Sequence, residues 1–154
     1  LHLSQLVAKL ISEGKITPEK DFGGLKVTYH DPCYLGRHSG VYDEPRSILK
    51  AIPGLDFIEM ERNREQSMCC GGGGGGLWME KAKGERLSDE RLTEAMEAGA
   101  AVLATACPYC IAMFEDSIRT LNVDEQIKVR DVTELLLESL GINVDEPVID
   151  TCAL

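Results

Sequence analysis

Four short runs rich in aliphatic and β-branched residues alternate with longer segments of helical periodicity, and this alternation limits the fold more than any other feature. The runs are residues 25–30, 55–61, 100–106 and 127–132. The helical segments are residues 1–13, 43–52, 77–98 (with a break near Gly84), 111–121 and 133–140. Strands that alternate with helices at short spacing favour βαβ units. We therefore predict an α/β fold of three layers, a mostly parallel sheet of about four strands with helices on both faces.

Cysteines follow three of the four predicted strands. Cys33 comes after the first strand, Cys69-Cys70 after the second and its polar loop, and Cys107 directly after the third. In open, Rossmann-like α/β sheets, ligands bind outside the carboxyl ends of the strands. We therefore expect three loops to bring cysteines to the C-terminal edge of one sheet.

The third loop carries Cys107-Pro108-Tyr109-Cys110, a Cys-x-x-Cys motif. Two intervening residues let both sulfurs face one metal, and Pro108 fits the first turn of a helix. A helix N-terminus lowers the pKa of a thiol and so favours the thiolate that binds metal. Taken alone, the motif also fits a pair of inert buried cysteines.

The second loop joins the adjacent Cys69 and Cys70 to six glycines, residues 71–76. Adjacent strand residues point to opposite faces, so both sulfurs reach one centre only if the backbone turns. Glycine permits that turn and a close approach of backbone to a bound group. The N–H groups of Gly71, Gly72 and Gly73 are candidate donors to that group, and a flexible linker is the alternative.

The number of cysteines distinguishes the possible centres. Zinc or an ordinary cubane cluster takes four ligands, whereas five cysteines converge here: Cys33, Cys69, Cys70, Cys107 and Cys110. A fifth thiol can be spare, bridge two irons or be reactive. An iron–sulfur cluster therefore fits better than zinc, and zinc stays as the alternative.

Other residues have two interpretations each. His30 can hydrogen-bond a cluster sulfur or donate a proton, or it can simply bond to backbone at the strand end. Arg37 and His38 can line an approach to the site, or be solvated loop residues. We expect Trp78 in the core or an interface, and we expect Cys152 in the tail not to be a ligand.

Composition excludes several classes of function. The 154 residues suggest one domain, and the formal charge of −10 comes without the basic patch of a nucleic-acid binder. No run approaches the roughly 18 apolar residues of a spanning helix. Residues 1–13 lack the features of a signal peptide. Clustered cysteines without a secretion signal indicate a reducing, cytoplasmic location, and a chain that starts at Leu1 suggests a fragment.

The spacing of the cysteines resembles a known family. YHDPCYLGRHSGVYDEPR, MCCGGGGGGLWME and ATACPYC are similar to the cysteine-rich CCG domain of heterodisulfide reductase catalytic subunits, of the glycolate oxidase iron–sulfur subunit, and of related Fe–S oxidoreductases. The resemblance covers about residues 25–140. It makes residues 25–141 the CCG domain, with residues 1–24 an N-terminal helix and linker of the same domain and 142–154 a tail.

The resemblance implies that the five cysteines bind a [4Fe–4S] cluster, of a non-cubane type in heterodisulfide reductase, where disulfide cleavage occurs. Other members pass electrons from a hydroxy acid or flavoprotein toward a quinone, and some hold zinc. It also implies partners: a ferredoxin-like domain and a second CCG domain of the parent chain, and flavoprotein or membrane subunits at the cytoplasmic face. Tyr34 stands where the family often has His, which weakens a proton role there.

Two other functions remain open. CPYC is the dithiol of glutaredoxins and also lies at a strand–helix junction there, but the later cis-proline segment has no counterpart here and three cysteines would be unexplained. A structural zinc domain without chemistry is the other possibility.

Overall fold

The computed structural model describes residues 1–82 and 84–142, which form five helices and four strands in these ranges. The strands are β1 (Leu25–Tyr29), β2 (Leu55–Phe57), β3 (Val102–Thr105) and β4 (Lys128–Asp131). The helices are α1 (Leu3–Ser12), α2 (Asp43–Ala51), α3 (Leu87–Glu97), α4 (Pro108–Leu121) and α5 (Val132–Ser139). Short helical turns cover Tyr34–His38, Arg64–Gln66 and Gly76–Trp78.

The four strands form one parallel sheet in the order β2-β1-β3-β4. Val27 pairs with Phe57 on one side and with Val102 on the other, which places β1 and β3 at the centre. The chain moves outward from β1 to β2, then crosses to β3 on the opposite side of β1. The sheet order therefore reverses between β1 and β3, the position where open α/β sheets bind ligands.

Both faces of the sheet are covered, as the two-residue period of a strand requires. On β3, Val102 and Ala104 pack in one buried cluster with side chains of α1, α2 and α5. Leu103, between them, packs in the other cluster with side chains of α3 and α4. This arrangement confirms the predicted three-layer α/β fold.

Some predicted elements were too long. The second strand ends at Phe57 rather than residue 61, because beyond Ile58 the chain leaves the sheet edge toward the cysteine loop. Of the predicted helix 77–98, only Leu87–Glu97 is helical. The segment that starts at Gly76 is a single short turn.

Trp78 does not lie in the core, since 85% of its surface is exposed. It ends the turn after the glycine run, where no sheet or helix packs over it in the described part of the chain. The prediction of a core position was wrong, and the interface position stays a prediction. Cys152 lies outside the described residues. None of the described helices is long and apolar enough to cross a membrane.

Candidate metal centre

The site lies at the C-terminal ends of β1 and β3, where the sheet order reverses. His30 directly follows β1, and its backbone N–H donates to the Ala104 carbonyl of β3 over 2.8 Å. Asp31-Pro32-Cys33 leaves β1, and Ala106-Cys107 leaves β3, so the first and third cysteine loops start side by side. This confirms that neighbouring strand ends deliver them to one edge.

Helix α4 starts within the Cys-x-x-Cys motif. Cys107 is its N-cap with an extended backbone, Pro108 is its first residue, and Cys110 lies buried in the first turn. The sequence predicted a helix from residue 111, whereas the observed helix starts three residues earlier and includes Pro108 to Cys110 of the motif. Proline suits this position because its missing N–H would have no partner there.

The second loop brings its cysteines onto the start of α4. The Cys110 thiol donates to the Cys70 sulfur, with the two Sγ atoms 3.3 Å apart, although 40 residues separate them in sequence. A ring nitrogen of His30 and these two sulfurs lie within 4.8 Å of one another, and all three residues are buried. The side chains of three loops therefore meet in one place.

Thiol ionisation follows from these contacts. The hydrogen bond from the Cys110 thiol lowers the pKa of Cys70 to about 4. The nearby Cys110 thiol and the backbone N–H groups of Cys110 and Tyr109 lower the pKa of Cys107 to about 6. The same contacts raise the pKa of Cys110 well above its usual value. These contacts favour the thiolate forms of Cys70 and Cys107, and thiolate is the form that binds iron or zinc.

Cys33 and Cys69 form the outer part of the site. Cys33 is exposed at the start of the Tyr34–His38 turn, and Cys69 is half-buried. Burial raises the pKa of Cys69, the hydrogen bond from the Gly71 N–H opposes this rise, and the nearby Cys70 sulfur adds to it. The backbone N–H of Gly71 donates to the Cys69 sulfur over 3.4 Å. None of these five cysteines is in a disulfide.

The glycine run turns closely around this site. A Cβ on Gly72 would lie 3.0 Å from Met113 Cγ and 3.7 Å from the Cys70 sulfur, and one on Gly76 would overlap the Gly71 carbonyl oxygen. Gly71 has a φ of +81°, in the left-handed region that favours glycine. Gly73 has open space where its Cβ would stand, among the described residues. Glycine is therefore required at several positions of the run but not at all of them.

Hydrogen bonds from two arginines connect the cysteine loops to each other and to helix α2. Arg46 donates to both carboxylate oxygens of Asp31, at 2.6 and 2.9 Å, and Asp31 also accepts the Arg64 backbone N–H. Arg37 donates to the Ser67 carbonyl over 2.7 Å, which joins the first cysteine loop to the second. His38 stacks on Tyr34 at the surface. Arg37 thus has a bridging contact that neither sequence interpretation included.

Sequence reasoning missed Arg91, which is completely buried on α3. Its Nε donates to His30 Nδ1 over 3.4 Å, and its other nitrogens bond to Ser67, Glu94 and the Arg62 carbonyl. A signal was present, because Arg91 adjoins Leu92 and lies four residues before Ala95, both on the buried face of the helix.

An open groove of about 520 Å³ lies beside the site. Its walls include Tyr34 and Val41, which lie between β1 and α2, and Cys107 and Pro108 from the third loop. Cys107 is therefore the ligand candidate that a molecule in this groove would meet.

The residues present fit a thiolate-bound metal or cluster. The sulfurs of Cys70 and Cys110 lie together beside His30, and glycine stands where a bound group needs close backbone. His30 Nε2 is buried and has no hydrogen-bond partner among the described residues. A polar group bound at this site would give it a partner.

Such a site on a parallel α/β sheet defines a class of cysteine-rich metal- or cluster-binding domain. A family model described as "Cysteine-rich domain", CCG, matches residues 27–115. The chain belongs to this family, as its cysteine spacing indicated.

Curated relatives extend the comparison. The chain is 44% identical over 139 residues to the probable iron-sulfur-binding oxidoreductase FadF of Bacillus subtilis, covering 90% of this chain and 20% of that protein. It is 40% identical to the EtfAB:quinone oxidoreductase of Syntrophomonas wolfei, covering 90% and 20%. It is 41% identical to one subunit of the dihydromethanophenazine:CoB--CoM heterodisulfide reductase of Methanosarcina barkeri, covering 93% and 34%. The chain thus spans between a fifth and a third of the length of these relatives.

Proposed function

We propose that Cys33, Cys69, Cys70, Cys107 and Cys110 bind one [4Fe–4S] cluster and that the chain is an electron-transferring domain of an oxidoreductase. The observation that carries this proposal is the 3.3 Å approach of the Cys70 and Cys110 sulfurs from different loops. Two buried cysteines that meet across 40 residues, without forming a disulfide, support a shared centre at this position.

The chain's own residues prepare that centre. The lowered pKa values of Cys70 and Cys107 favour the thiolate forms that iron binding requires. The Gly71 N–H stabilises negative charge on the Cys69 sulfur. When bound, the cluster supplies a one-electron store whose potential depends on such hydrogen bonds and on solvent exposure.

The names of the relatives support two reactions for the parent protein. One is reduction of a mixed disulfide, as the name of the heterodisulfide reductase states, and the other is electron transfer from a flavoprotein to a quinone, which the EtfAB:quinone oxidoreductase suggests. The groove beside Cys107 suits the first, because it leads from solvent to a candidate ligand. Ferredoxin-like domains, a second CCG domain and a membrane subunit at the cytoplasmic face are the partners we propose.

Anaerobic reconstitution with iron and sulfide tests the cluster. We expect about four irons and four sulfides per chain, the composition of the proposed [4Fe–4S] cluster, and an EPR signal in at least one redox state. Cys70→Ser and Cys110→Ser should lose most of the iron, whereas Cys152→Ser should keep it. A fully reduced wild-type chain that binds no iron would contradict the proposal, and stoichiometric zinc in anaerobically purified protein would favour the structural zinc domain.

A thiol–disulfide function is the second candidate, and one observation favours it. Cys107 is a half-buried thiolate with a pKa of about 6, and the buried Cys110 beside it keeps its proton. That asymmetry suits an attacking and a resolving thiol. Turnover of a glutathione mixed disulfide by a chain with Cys33, Cys69 and Cys70 replaced by Ser would support this function over the cluster.

A further inference from the structure

The buried pair His30 and Arg91 has no role in the binding site as described so far. Both side chains are completely buried, and they come from elements 61 residues apart, the end of β1 and helix α3. Burial of an arginine is costly unless its donors are satisfied. Here Glu94, Ser67 and the Arg62 carbonyl accept hydrogen bonds from its terminal nitrogens, and Nε is directed at His30 Nδ1.

The direction of that hydrogen bond determines where the His30 proton lies. A guanidinium has donors and no acceptor, so Nδ1 must be the acceptor and carries no hydrogen. An imidazole without a hydrogen on Nδ1 is neutral. A neutral imidazole with a bare Nδ1 carries its hydrogen on Nε2.

The Nε2–H group is then a donor without a partner inside the described part of the protein. Nε2 makes no hydrogen bond among those residues, and an unsatisfied buried donor destabilises the fold. Since Nδ1 faces Arg91, Nε2 is the ring nitrogen left for the sulfurs of Cys70 and Cys110, within 4.8 Å. The edge-to-face contact with Phe114, at 4.8 Å between ring centres, keeps the ring in this orientation.

We propose that Arg91 is a positioning residue that fixes His30 as the Nε2–H tautomer, and that His30 thereby donates a hydrogen bond to the Cys70 sulfur or a sulfur bound beside it. The inference rests on the proposed cluster function and adds which residues of this chain set the reduction potential of the cluster. An N–H donor stabilises the extra negative charge that reduction places on sulfur. The pair therefore raises the reduction potential of the centre.

The tautomer is measured without any cluster. In the 154-residue chain with all thiols reduced, ¹⁵N-NMR of the imidazole rings should show His30 with hydrogen on Nε2 and none on Nδ1, assigned by the loss of its signals in His30→Gln. Arg91→Met should convert His30 to a mixture of tautomers. Hydrogen on Nδ1 in the wild-type chain would overturn the proposal even if Arg91→Met failed to fold.

The potential is then measured by redox titration monitored by EPR on reconstituted protein. His30→Leu should shift the reduction equilibrium about tenfold toward the oxidised state, which is about 59 mV for one electron. His30→Gln keeps an N–H donor at a similar position and should restore most of the difference. Arg91→Met should shift the potential in the same direction as His30→Leu.

Thr28→Val is the matched control, because Thr28 is a buried polar residue on the same strand, whose hydroxyl has no partner among the described residues. It should leave the potential unchanged. An equal shift in Thr28→Val, or none in His30→Leu with normal iron content, would overturn the inference. Absence of iron in the wild-type chain would instead overturn the proposed cluster function, so the two failures are distinct.

Discussion

At the scale of single residues, buried charge holds the site in place. Arg46 and Asp31 are both 2% exposed and share two hydrogen bonds, and Glu59 binds the same guanidinium. Asp31 precedes the first cysteine by two residues and also accepts the Arg64 N–H of the second loop. The ion pair therefore connects helix α2 to two of the three cysteine loops.

Arg46→Met should lower the free energy of unfolding by about 3–5 kcal/mol, because it leaves the Asp31 carboxylate buried without its partner. Urea denaturation of the reduced chain measures this. Arg119→Met is the control, since Arg119 is mostly exposed and its ion pair with Glu115 spans 3.8 Å at the surface. A loss in Arg46→Met no larger than in Arg119→Met would show that the buried pair does not stabilise the fold.

Glu94 carries the pH dependence of the Arg91 network. Burial alone raises its pKa, but the hydrogen bonds from the Arg62 backbone N–H and from Arg91 outweigh burial, and the pKa lies below its ordinary value. A carboxyl whose pKa falls on folding contributes stability above its unfolded pKa of about 4.3, and that stability is lost as the pH falls through the folded value.

Glu94→Gln should therefore cost about 1–3 kcal/mol of unfolding free energy at pH 7, and the difference from wild type should shrink steadily below about pH 4.3. Denaturant unfolding at a series of pH values from neutral to acidic measures both. Glu97→Gln, at an exposed position of the same helix and without an ion pair in the described residues, is the control and should change the unfolding free energy little at pH 7. A difference that stays constant with pH would contradict this account.

The positions of single residues show what could and could not be predicted from the sequence. Five cysteines were predicted to converge because each follows a strand, and strand ends share an edge whatever the details of packing. Arg91 and His30 were not paired, because their contact depends on how α3 lies across the sheet. The core position predicted for Trp78 was wrong because an apolar side chain favours burial on average, whereas its position here follows from the glycine turn before it.

At the scale of elements, the glycine run differs from a flexible linker by its close contacts. Gly76→Ala would place a methyl group on the Gly71 carbonyl, so the turn after Cys69-Cys70 would have to open. Gly73 has neither a positive φ nor a neighbour within 4 Å of its Cβ position in the described structure. Substituting Gly76 and Gly73 therefore tests whether the turn needs a defined shape or only flexibility.

We expect Gly76→Ala to lose most of its iron on anaerobic reconstitution, because Cys70 would move relative to Cys110, whereas Gly73→Ala should bind as much iron as wild type. Iron and sulfide assays on both variants measure this, with circular dichroism to confirm that each is folded. Equal iron content in the two variants would mean that the turn does not need its present shape.

Element boundaries were predicted less well than element order. Strand–helix alternation determined the parallel sheet, since a helix between strands returns the chain to the same direction. The helix predicted from residue 77 failed because, of Leu77, Trp78 and Met79, only Leu77 packs against the core. Their side chains are half-buried to exposed, and the chain becomes helical only where Leu92 and Ala95 reach the core.

At the scale of the whole molecule, the proposed centre cross-links loops that are otherwise joined only through the sheet and a few side chains. Binding that favours the folded state stabilises whatever contributes ligands. The first and third loops leave neighbouring central strands, and the second arrives from the edge strand β2. A centre that takes ligands from all three must therefore restrain all three together.

Hydrogen–deuterium exchange on the reconstituted and the metal-free chain tests this expectation. Cluster binding should slow exchange about tenfold or more in residues 31–38, 67–76 and 106–110, because opening of any one loop would break a sulfur–iron bond. Residues 128–139, which form β4 and α5, contribute no cysteine and should exchange almost equally in both forms. Protection confined to residues 106–110 would indicate metal held by the Cys-x-x-Cys motif alone, and the five-cysteine centre would then be wrong.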